Sequence, residues 1–216
     1  DIRQGINEIF YDAKAGLFTN RSPAGGNDVF SELTQALACT YMDLDTAQVE
    51  ALRKQMLADD RLVPASLGMK IYQFNALDTV FGDDGKRSLD TIRKEWGYML
   101  SQGATSFWET LKGAADFDGA GSLCHGWASM PAHYLLAEVL GIKPLEPGFK
   151  TFALSPKFAP LDFIKGTVPT PAGEIKAQWR RTEAGIEIEI EYPAELKMVN
   201  RIEDRDGITL KTRTTP

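Results

Sequence analysis

The stretch Ile175-Lys-Ala-Gln-Trp-Arg-Arg-Thr-Glu-Ala-Gly-Ile-Glu-Ile-Glu-Ile190 decides how the last third of this chain folds. Apolar and polar residues alternate on both sides of Thr182-Glu-Ala-Gly185, and a period of two around a glycine-containing turn predicts a β-hairpin. One face of the hairpin is apolar, while the other sets basic residues of the first strand against glutamates of the second. We interpret these opposed charges as cross-strand pairing on a solvated surface.

The sequence on either side of this hairpin predicts an α+β fold with two domains. After Lys143, prolines separate short runs, and residues 196–199 and 208–210 supply further strands of an antiparallel β-sandwich over 144–216. Before residue 144, apolar residues recur at helical spacing and predict about six helices. These helices would form a portion of an α/α toroid over 1–143. The first helix is expected to begin at Ile2, and the next two to follow N-terminal caps at Ser31 and Thr46. Two more are expected over 67–81 and 86–101, and the last from a cap at Ser122 to Gly141.

Three details of the helical region are also predicted. Trp96 lies on the apolar stripe of its helix and is assigned to the core. The last helix is apolar nearly all round, which predicts that it is buried, and Pro131 lies inside it, where a proline kinks a helix. The two cysteines, Cys39 and Cys124, are interpreted as buried thiols rather than as a disulfide.

Composition excludes several classes of partner. The net charge of −6 argues against nucleic acid, because phosphate binding needs a basic stripe. No apolar run approaches the ~20 residues that span a bilayer, so no membrane partner is expected. The chain begins at Asp1 rather than at methionine, from which we expect a processed or truncated polypeptide. Its compartment stays open, with periplasmic or extracellular favoured over cytoplasmic.

One cluster of residues carries the chemistry. Ala104-Thr-Ser-Phe-Trp-Glu109 is followed by Ser122-Leu-Cys-His-Gly-Trp-Ala128, so an acid beside an aromatic ring precedes a histidine and a second tryptophan. Sugar sites use such a mixture, because an aromatic face stacks on the sugar ring and an acid handles a proton. No cofactor and no metal site are expected.

Each residue of this cluster also has a structural interpretation. Glu109 is a candidate general base or an interhelical salt-bridge residue. Trp108 and Trp127 either stack on a sugar ring or pack in the hydrophobic core. His125 is preferred as a donor to a sugar hydroxyl over a metal ligand paired with His133, which is assigned a structural role. The loop residues Asp116 and Asp118 could bind sugar hydroxyls or calcium, or could serve turn and helix-entry chemistry.

Together, several motifs resemble a known family. The resemblance is to the α-L-rhamnosidase family of six-hairpin glycosidases and covers nearly the whole chain. It rests on Ile6-Asn-Glu-Ile-Phe-Tyr-Asp12, Phe107-Trp-Glu109, Asp116-Phe-Asp-Gly119, Ser122-Leu-Cys-His-Gly-Trp127, Leu140-Gly-Ile-Lys-Pro-Leu-Glu-Pro-Gly-Phe149 and Gly166-Thr-Val-Pro-Thr-Pro-Ala-Gly173.

The resemblance implies an (α/α)6 barrel followed by a β-sandwich, and the hydrolysis of terminal α-L-rhamnosides with inversion. An acid protonates the leaving oxygen while a carboxylate on the opposite face activates water. By motif position Glu109 matches the base and His125 a substrate contact. This chain departs from the pattern, because it has about half of the barrel helices and no counterpart of the acid. The resemblance therefore implies the C-terminal part of such an enzyme, incomplete on its own.

Two alternatives stay open from the sequence. The first is a non-catalytic carbohydrate-binding or structural fragment. The second is another α/α-toroid enzyme such as a polysaccharide lyase, which is disfavoured because Lys112 is the one cation in residues 104–128. Half a barrel would also expose apolar surface, so we expect a dimer or association with the missing half.

Overall fold

The computed structural model of the chain describes residues 2–20, 29–58, 61–158, 160–202 and 207–216. The chain forms two compact units, a helical unit of residues 1–83 with 87–130 and a second unit of 84–86 with 131–216. The predicted division at residue 143 stays a prediction. No helix among the described residues is long and apolar enough to cross a membrane.

Before residue 102 the described residues form the α-helices α1 Ile2–Phe10, α2 Glu32–Tyr41, α3 Thr46–Ala58, α4 Lys70–Asn75 and α5 Lys86–Ser101. Two short strands, β1 Tyr11–Asp12 and β2 Leu17–Phe18, form a hairpin after α1. A 3-10 turn, Leu67–Met69, precedes α4 and a π-helical turn, Ala76–Val80, follows it, so the predicted helix over 67–81 is a continuous helical segment. The predicted loop at Ser22-Pro-Ala-Gly-Gly-Asn27 lies outside the described residues.

The core of the helical unit forms where β2 meets α2, α3 and the turn after α4. Its buried side chains include Leu17, Phe18, Ala36, Leu52 and Leu77. Gln35 is fully buried among them, yet its amide is satisfied, because its carbonyl oxygen accepts the N–H of Phe18 and its NH2 group donates to the Phe18 carbonyl oxygen, both at 2.8 Å. This pair of bonds fixes β2 against α2, since an unpaired buried amide would be costly.

Helix capping matches the sequence at one predicted position and departs from it at another. The Ser31 hydroxyl accepts the N–H of Thr34 and caps α2 as predicted. Thr46 was predicted as the next cap, but it is the first residue of α3. The Asp45 carboxylate accepts the Gln48 N–H at 2.8 Å, and the Gln48 side chain accepts the Asp45 N–H at 3.1 Å. This reciprocal capping satisfies two N–H groups, where a threonine hydroxyl would satisfy one.

A buried cation links α2, α4 and α5. The Lys70 ammonium lies 3.1 Å from Glu32 and 3.4 Å from Glu95, and all three side chains are largely withdrawn from solvent. Glu32 also accepts the Ala65 N–H at 2.8 Å. Burial raises the pKa of Glu95, although Lys70 acts in the opposite direction.

The predicted helix from Ser122 to Gly141 is wrong at its start. Ser122 lies in an extended stretch, and the helical segment begins with a 3-10 turn, Gly126–Ser129, followed by α6 Met130–Tyr134 and a π turn, Leu135–Val139. Residues 122–125 are held extended by backbone bonds to 107–109, described below. Pro131 is the second residue of α6, where a proline fits a helix, and Gly141 ends the segment with φ of +86°, as predicted.

The second unit contains two sheets. The strands are β3 Ile142–Pro144, β4 Thr151–Leu154, β5 Phe163–Thr170, β6 Gly173–Thr182, β7 Gly185–Pro193, β8 Lys197–Asn200 and β9 Ile208–Thr215. Their orders are β3-β4-β8 and β5-β6-β7-β9. The β4–β8 and β7–β9 pairs are parallel, so the sheets are mixed rather than purely antiparallel. The α+β class is confirmed.

The predicted hairpin is β6 and β7, with Thr182 opposite Gly185. Its apolar face is buried and includes Trp179, whose indole N–H donates to the Val139 carbonyl oxygen at 2.9 Å. On the other face Arg180 lies opposite Glu187, with 2.6 Å between Nη2 and Oε2. The cross-strand charge pairing predicted from the sequence is therefore confirmed.

Both cysteines are free thiols, but only one is sheltered. Cys39 is half-buried beside the core of the helical unit, and burial raises its pKa to about 12. Cys124 is exposed, against the prediction of a buried thiol, because its neighbourhood is an extended stretch instead of a buried helix.

We expect Lys70→Met to destabilise the helical unit by about 3–5 kcal/mol, because it leaves the Glu32 carboxylate buried without its cation. Arg93→Met is the matched control, since Arg93 pairs with Asp90 at the exposed surface and its loss should cost less than about 1 kcal/mol. Urea unfolding of both variants measures the difference. Equal costs would contradict the assignment of Lys70 as a buried counter-ion.

Candidate active site

Two stretches of backbone come together after α5 and hold the predicted site residues. The His125 N–H donates to the Phe107 carbonyl oxygen at 2.7 Å, and the Glu109 N–H donates to the Ser122 carbonyl oxygen at 2.9 Å. The Ser106 hydroxyl also donates to the Leu123 carbonyl oxygen. This paired segment places Glu109 and His125 side by side although they are far apart in sequence.

The Glu109 carboxylate lies at one end of the paired segment. Its Oε1 lies 4.0 Å from His125 Nδ1, and its Oε2 accepts a long bond of 3.4 Å from the Ser122 N–H. One third of the side chain is exposed, against 23% for His125. A carboxylate that is anchored by a backbone amide and open to solvent can accept a proton from water.

Trp127 adds an aromatic surface next to the histidine. Its side chain is 75% exposed, and its ring meets the His125 ring edge-on, with centroids 5.5 Å apart and an interplanar angle of 71°. His125 immediately precedes the 3-10 turn that contains Trp127, and this brings the two rings together. An exposed indole face is a suitable platform for a sugar ring.

Trp108 is half-buried and packs against the loop that follows it. Gly113 lies under its ring, with φ of +58°, and a Cβ there would come within 2.9 Å of the Trp108 ring and 3.2 Å of Leu123. The position therefore requires glycine for both conformation and space. The predicted sugar contact of Trp108 stays a prediction.

Asp116 is engaged inside the loop over residues 110–121. Its carboxylate accepts the Phe117 N–H at 3.0 Å and pairs with Lys112 at 3.5 Å. The Thr110 hydroxyl, the Phe117 N–H and Lys112 together hold the pKa of Asp116 below its usual value. Asp118 is exposed, with φ of +56°, on the same short turn. Both residues thus show turn chemistry, and their contact with sugar or calcium stays a prediction.

Phe117 is a site-loop residue that the sequence reading missed. It is 57% exposed, and its φ of +50° is a strained value for a non-glycine residue. The sequence could have predicted this exposure, because Phe117 lies between two aspartates in a glycine-rich loop, and such composition is typical of a tight exposed turn.

No group of three or more His, Cys, Asp or Glu side chains in the described part of the chain could hold a metal ion. His133, which was assigned a structural role, is exposed. Among the predicted site residues, Glu109, His125 and Trp127 lie together. Asp116 and Asp118 lie in the adjoining loop, and Trp108 packs against that loop.

Comparisons with known proteins find similar sequences among the alpha-L-rhamnosidases. Residues 141–207 match the family described as the bacterial alpha-L-rhamnosidase C-terminal domain. An alpha-L-rhamnosidase of Alteromonas sp. (strain LOR) is 29% identical over 163 residues, which are 70% of this chain and 17% of that protein. The chain thus spans about a fifth of the length of the curated relatives it matches.

Solved structures show the same fold. A GH78-family rhamnosidase of Bacillus sp. GL1 matches 99% of this chain and 23% of its own at a TM-score of 0.82, with 22% identity. The alpha-L-rhamnosidase of Streptomyces avermitilis, solved in complex with L-rhamnose, matches 86% of this chain and 18% of its own at a TM-score of 0.59, with 16% identity. At sequence identities of 22% and 16%, the structural likeness shows a shared fold and nothing about activity.

We expect Gly113→Ala to destabilise the chain more than Gly103→Ala. Both glycines have positive φ, so both variants bear the ~1–2 kcal/mol of left-handed strain, but only Gly113 also meets the Trp108 ring, whereas nothing lies within 4 Å of a Cβ at Gly103. Urea unfolding and near-ultraviolet circular dichroism of the tryptophans measure the effect. Identical behaviour of the two variants would contradict the packing of Trp108 on the loop.

Proposed function

We propose that this chain, which is similar to α-L-rhamnosidases in sequence and in fold, forms the base-bearing portion of a glycosidase that releases terminal α-L-rhamnose. The observation that carries the proposal is the grouping of the Glu109 carboxylate with His125 and the exposed Trp127. A carboxylate, a partner for sugar hydroxyls and a stacking face supply one side of a hydrolytic sugar site, which also needs a general acid.

In the proposed reaction Glu109 acts as the general base of an inverting mechanism. The carboxylate takes a proton from a water molecule as the water oxygen bonds to the anomeric carbon. The glycosidic bond breaks, and its oxygen receives a proton from a carboxylic acid on the opposite face of the sugar. That acid is proposed to lie outside these 216 residues. The one-third exposure of Glu109 supports the role, because the base must meet water.

His125 and Trp127 are proposed to hold the sugar. The Nδ1 atom of His125 faces Glu109, so its Nε2 is left to bond a sugar hydroxyl. The exposed indole of Trp127 would cover one sugar face. Trp108, Asp116 and Asp118 are proposed as further substrate contacts, and the Trp108 ring also packs against Gly113 of the loop.

A second candidate function is a non-catalytic carbohydrate-binding or structural fragment. It is favoured by the exposed Trp127, because a stacking face binds a sugar without any general acid. Calorimetry of the isolated chain with L-rhamnose, together with an assay on an aryl rhamnoside, separates the two functions. Binding without hydrolysis by any polypeptide that carries this chain would favour the second function.

We expect Glu109→Gln to lower the turnover of an aryl rhamnoside by about 10²–10⁴-fold, since a positioned general base contributes that much. The assay uses a polypeptide that carries this chain together with the general acid. Glu50→Gln, at an exposed residue of α3, is the matched control and should leave turnover unchanged. A loss of less than about tenfold for Glu109→Gln would contradict the base role.

An apolar face of the helical unit supports the proposed association with a second copy or with the remaining barrel helices. Ile2, Ile6 and Ile9 of α1 are exposed. Between α1 and α2 lies an apolar groove of about 300 Å³ lined by Ile6, Phe10, Leu37 and Tyr41 among others. Apolar patches of this kind are usually covered by a partner.

We expect the isolated chain to self-associate in a concentration-dependent way. Ile6→Glu/Ile9→Glu should shift it to monomer, because two charges would enter the apolar contact. Gln102→Glu/Thr214→Glu adds the same charge at polar exposed positions outside α1 and should leave the association unchanged. Sedimentation velocity measures all three proteins, and a wild-type chain that stays monomeric over the whole concentration range would contradict the expectation.

A further inference from the structure

The second unit carries a charged concave surface that the proposed reaction does not use. It lies on the sheet β5-β6-β7-β9 and encloses about 400 Å³, within the ~300–1,000 Å³ typical of ligand sites. We call it the basic sheet face. The residues that define it are Lys165, Lys176, Glu189, Glu191, Lys211 and Arg213.

Strand register arranges these charges in rows. Glu189 and Glu191 lie on β7, in the middle of the face. Lys211 and Arg213 of β9 lie directly opposite them on one side. On the other side Lys176 of β6 lies opposite Glu191, and β5 adds Lys165 beyond Gln178. A row of carboxylates therefore runs between two rims of cations.

The cations extend further into solvent than the carboxylates. Side-chain exposure is 56% for Lys176, 61% for Lys211 and 78% for Arg213, against 43% for Glu189 and 32% for Glu191. The contacts of the cations are loose, at 3.5 Å for Lys211–Glu189, for Arg213–Glu191 and for Lys176 with its strand neighbour Glu174. Exposed pairs of this kind contribute little to stability, so their donors stay available to a ligand. The Glu189 carboxylate also accepts a bond of 2.6 Å from the Gln178 amide, which occupies part of its acceptor capacity.

The sign of the charge at the surface is positive. The defining residues include four cations and two carboxylates, and Glu174 beside Lys176 adds a third carboxylate, so the face has a small positive charge whereas the whole chain carries −6. An approaching anion therefore meets the lysine and arginine heads first. Anions are attracted to this face in spite of the acidic chain.

The spacing of the cations and the carboxylate row between them limit which anions can bind. The outer rims on β5 and β9 are three inter-strand spacings apart, about 14 Å, so a ligand that touches both needs well-separated charges. The lower carboxylate row would repel a continuous phosphate backbone but can accept hydroxyl hydrogens. The residues that line the face include no aromatic side chain on which a base could stack.

From this arrangement we propose that the basic sheet face binds an acidic oligosaccharide, with carboxylate or sulfate groups on the cation rims and hydroxyl groups on Glu189 and Glu191. The binding uses residues of the second unit alone and is independent of Glu109. It would hold an anionic sugar chain to the protein whether or not that chain is cleaved.

The test is calorimetric titration of the 216-residue chain with a galacturonate hexamer and a sulfated dextran oligomer. Maltohexaose serves as the neutral probe, and a short DNA duplex and poly-glutamate as the non-sugar anions. We expect either acidic saccharide to bind, with affinity falling as salt rises from about 50 to 300 mM. The neutral sugar should not bind. Which of the two acidic saccharides binds more tightly identifies the preferred anionic group.

Lys165→Gln/Lys211→Gln removes one cation from each rim, and Lys14→Gln/Lys54→Gln removes the same charge from exposed positions of the helical unit. We expect the first pair to weaken binding at least about tenfold and the second to change it less than about twofold. Glu109→Gln should bind like wild type, which separates this inference from the proposed reaction.

Three outcomes would overturn the proposal. Equal binding of maltohexaose would remove the role of charge, and equal weakening by the two lysine pairs would show general attraction without a site. Equal or tighter binding of DNA or poly-glutamate would show that the face does not select saccharides.

Discussion

The candidate site depends on the backbone pairing of residues 106–109 with 122–125. Two hydrogen bonds, at 2.7 and 2.9 Å, bring Glu109 to His125. The loop between them closes tightly, because a Cβ at Gly121 would lie 2.0 Å from the Gly113 carbonyl oxygen, and the Trp108 ring lies over Gly113. Without this closure no helix or strand would hold the carboxylate near the imidazole, since the segment belongs to neither.

In each unit one buried indole bonds to a backbone carbonyl oxygen of the same unit. In the helical unit the Trp96 N–H donates to the Ala128 carbonyl oxygen at 2.8 Å, and in the second unit the Trp179 N–H donates to that of Val139 at 2.9 Å. Both indoles are buried, so each bond satisfies a polar group that would otherwise be costly to bury. The first bond holds the turn that carries Trp127, so the exposed platform of the site rests on a fixed base.

The sequence was most informative where periodicity is strong. The β6–β7 hairpin with its charge pairs and helix α5 were predicted almost to the residue, because alternation and an amphipathic stripe are local signals. Residues 122–125 were predicted as helix, because Ser122 resembles a cap, whereas pairing with distant residues 107–109 keeps them extended. The parallel β7–β9 pair was missed for the same reason, since strand order is non-local. At the candidate site, residue types singled out Glu109, His125 and Trp127 as candidates. The packing of the Trp108 ring against Gly113 could not be predicted, because it depends on how the loop closes.

The central claim is that the Glu109 carboxylate activates the water that attacks the sugar. Azide rescue of Glu109→Ala, in a polypeptide that also supplies the general acid, tests it most directly, because azide needs no base. The account predicts that azide restores turnover and that nuclear magnetic resonance shows rhamnosyl azide with inverted anomeric configuration. No rescue, or a product with retained configuration, would contradict it.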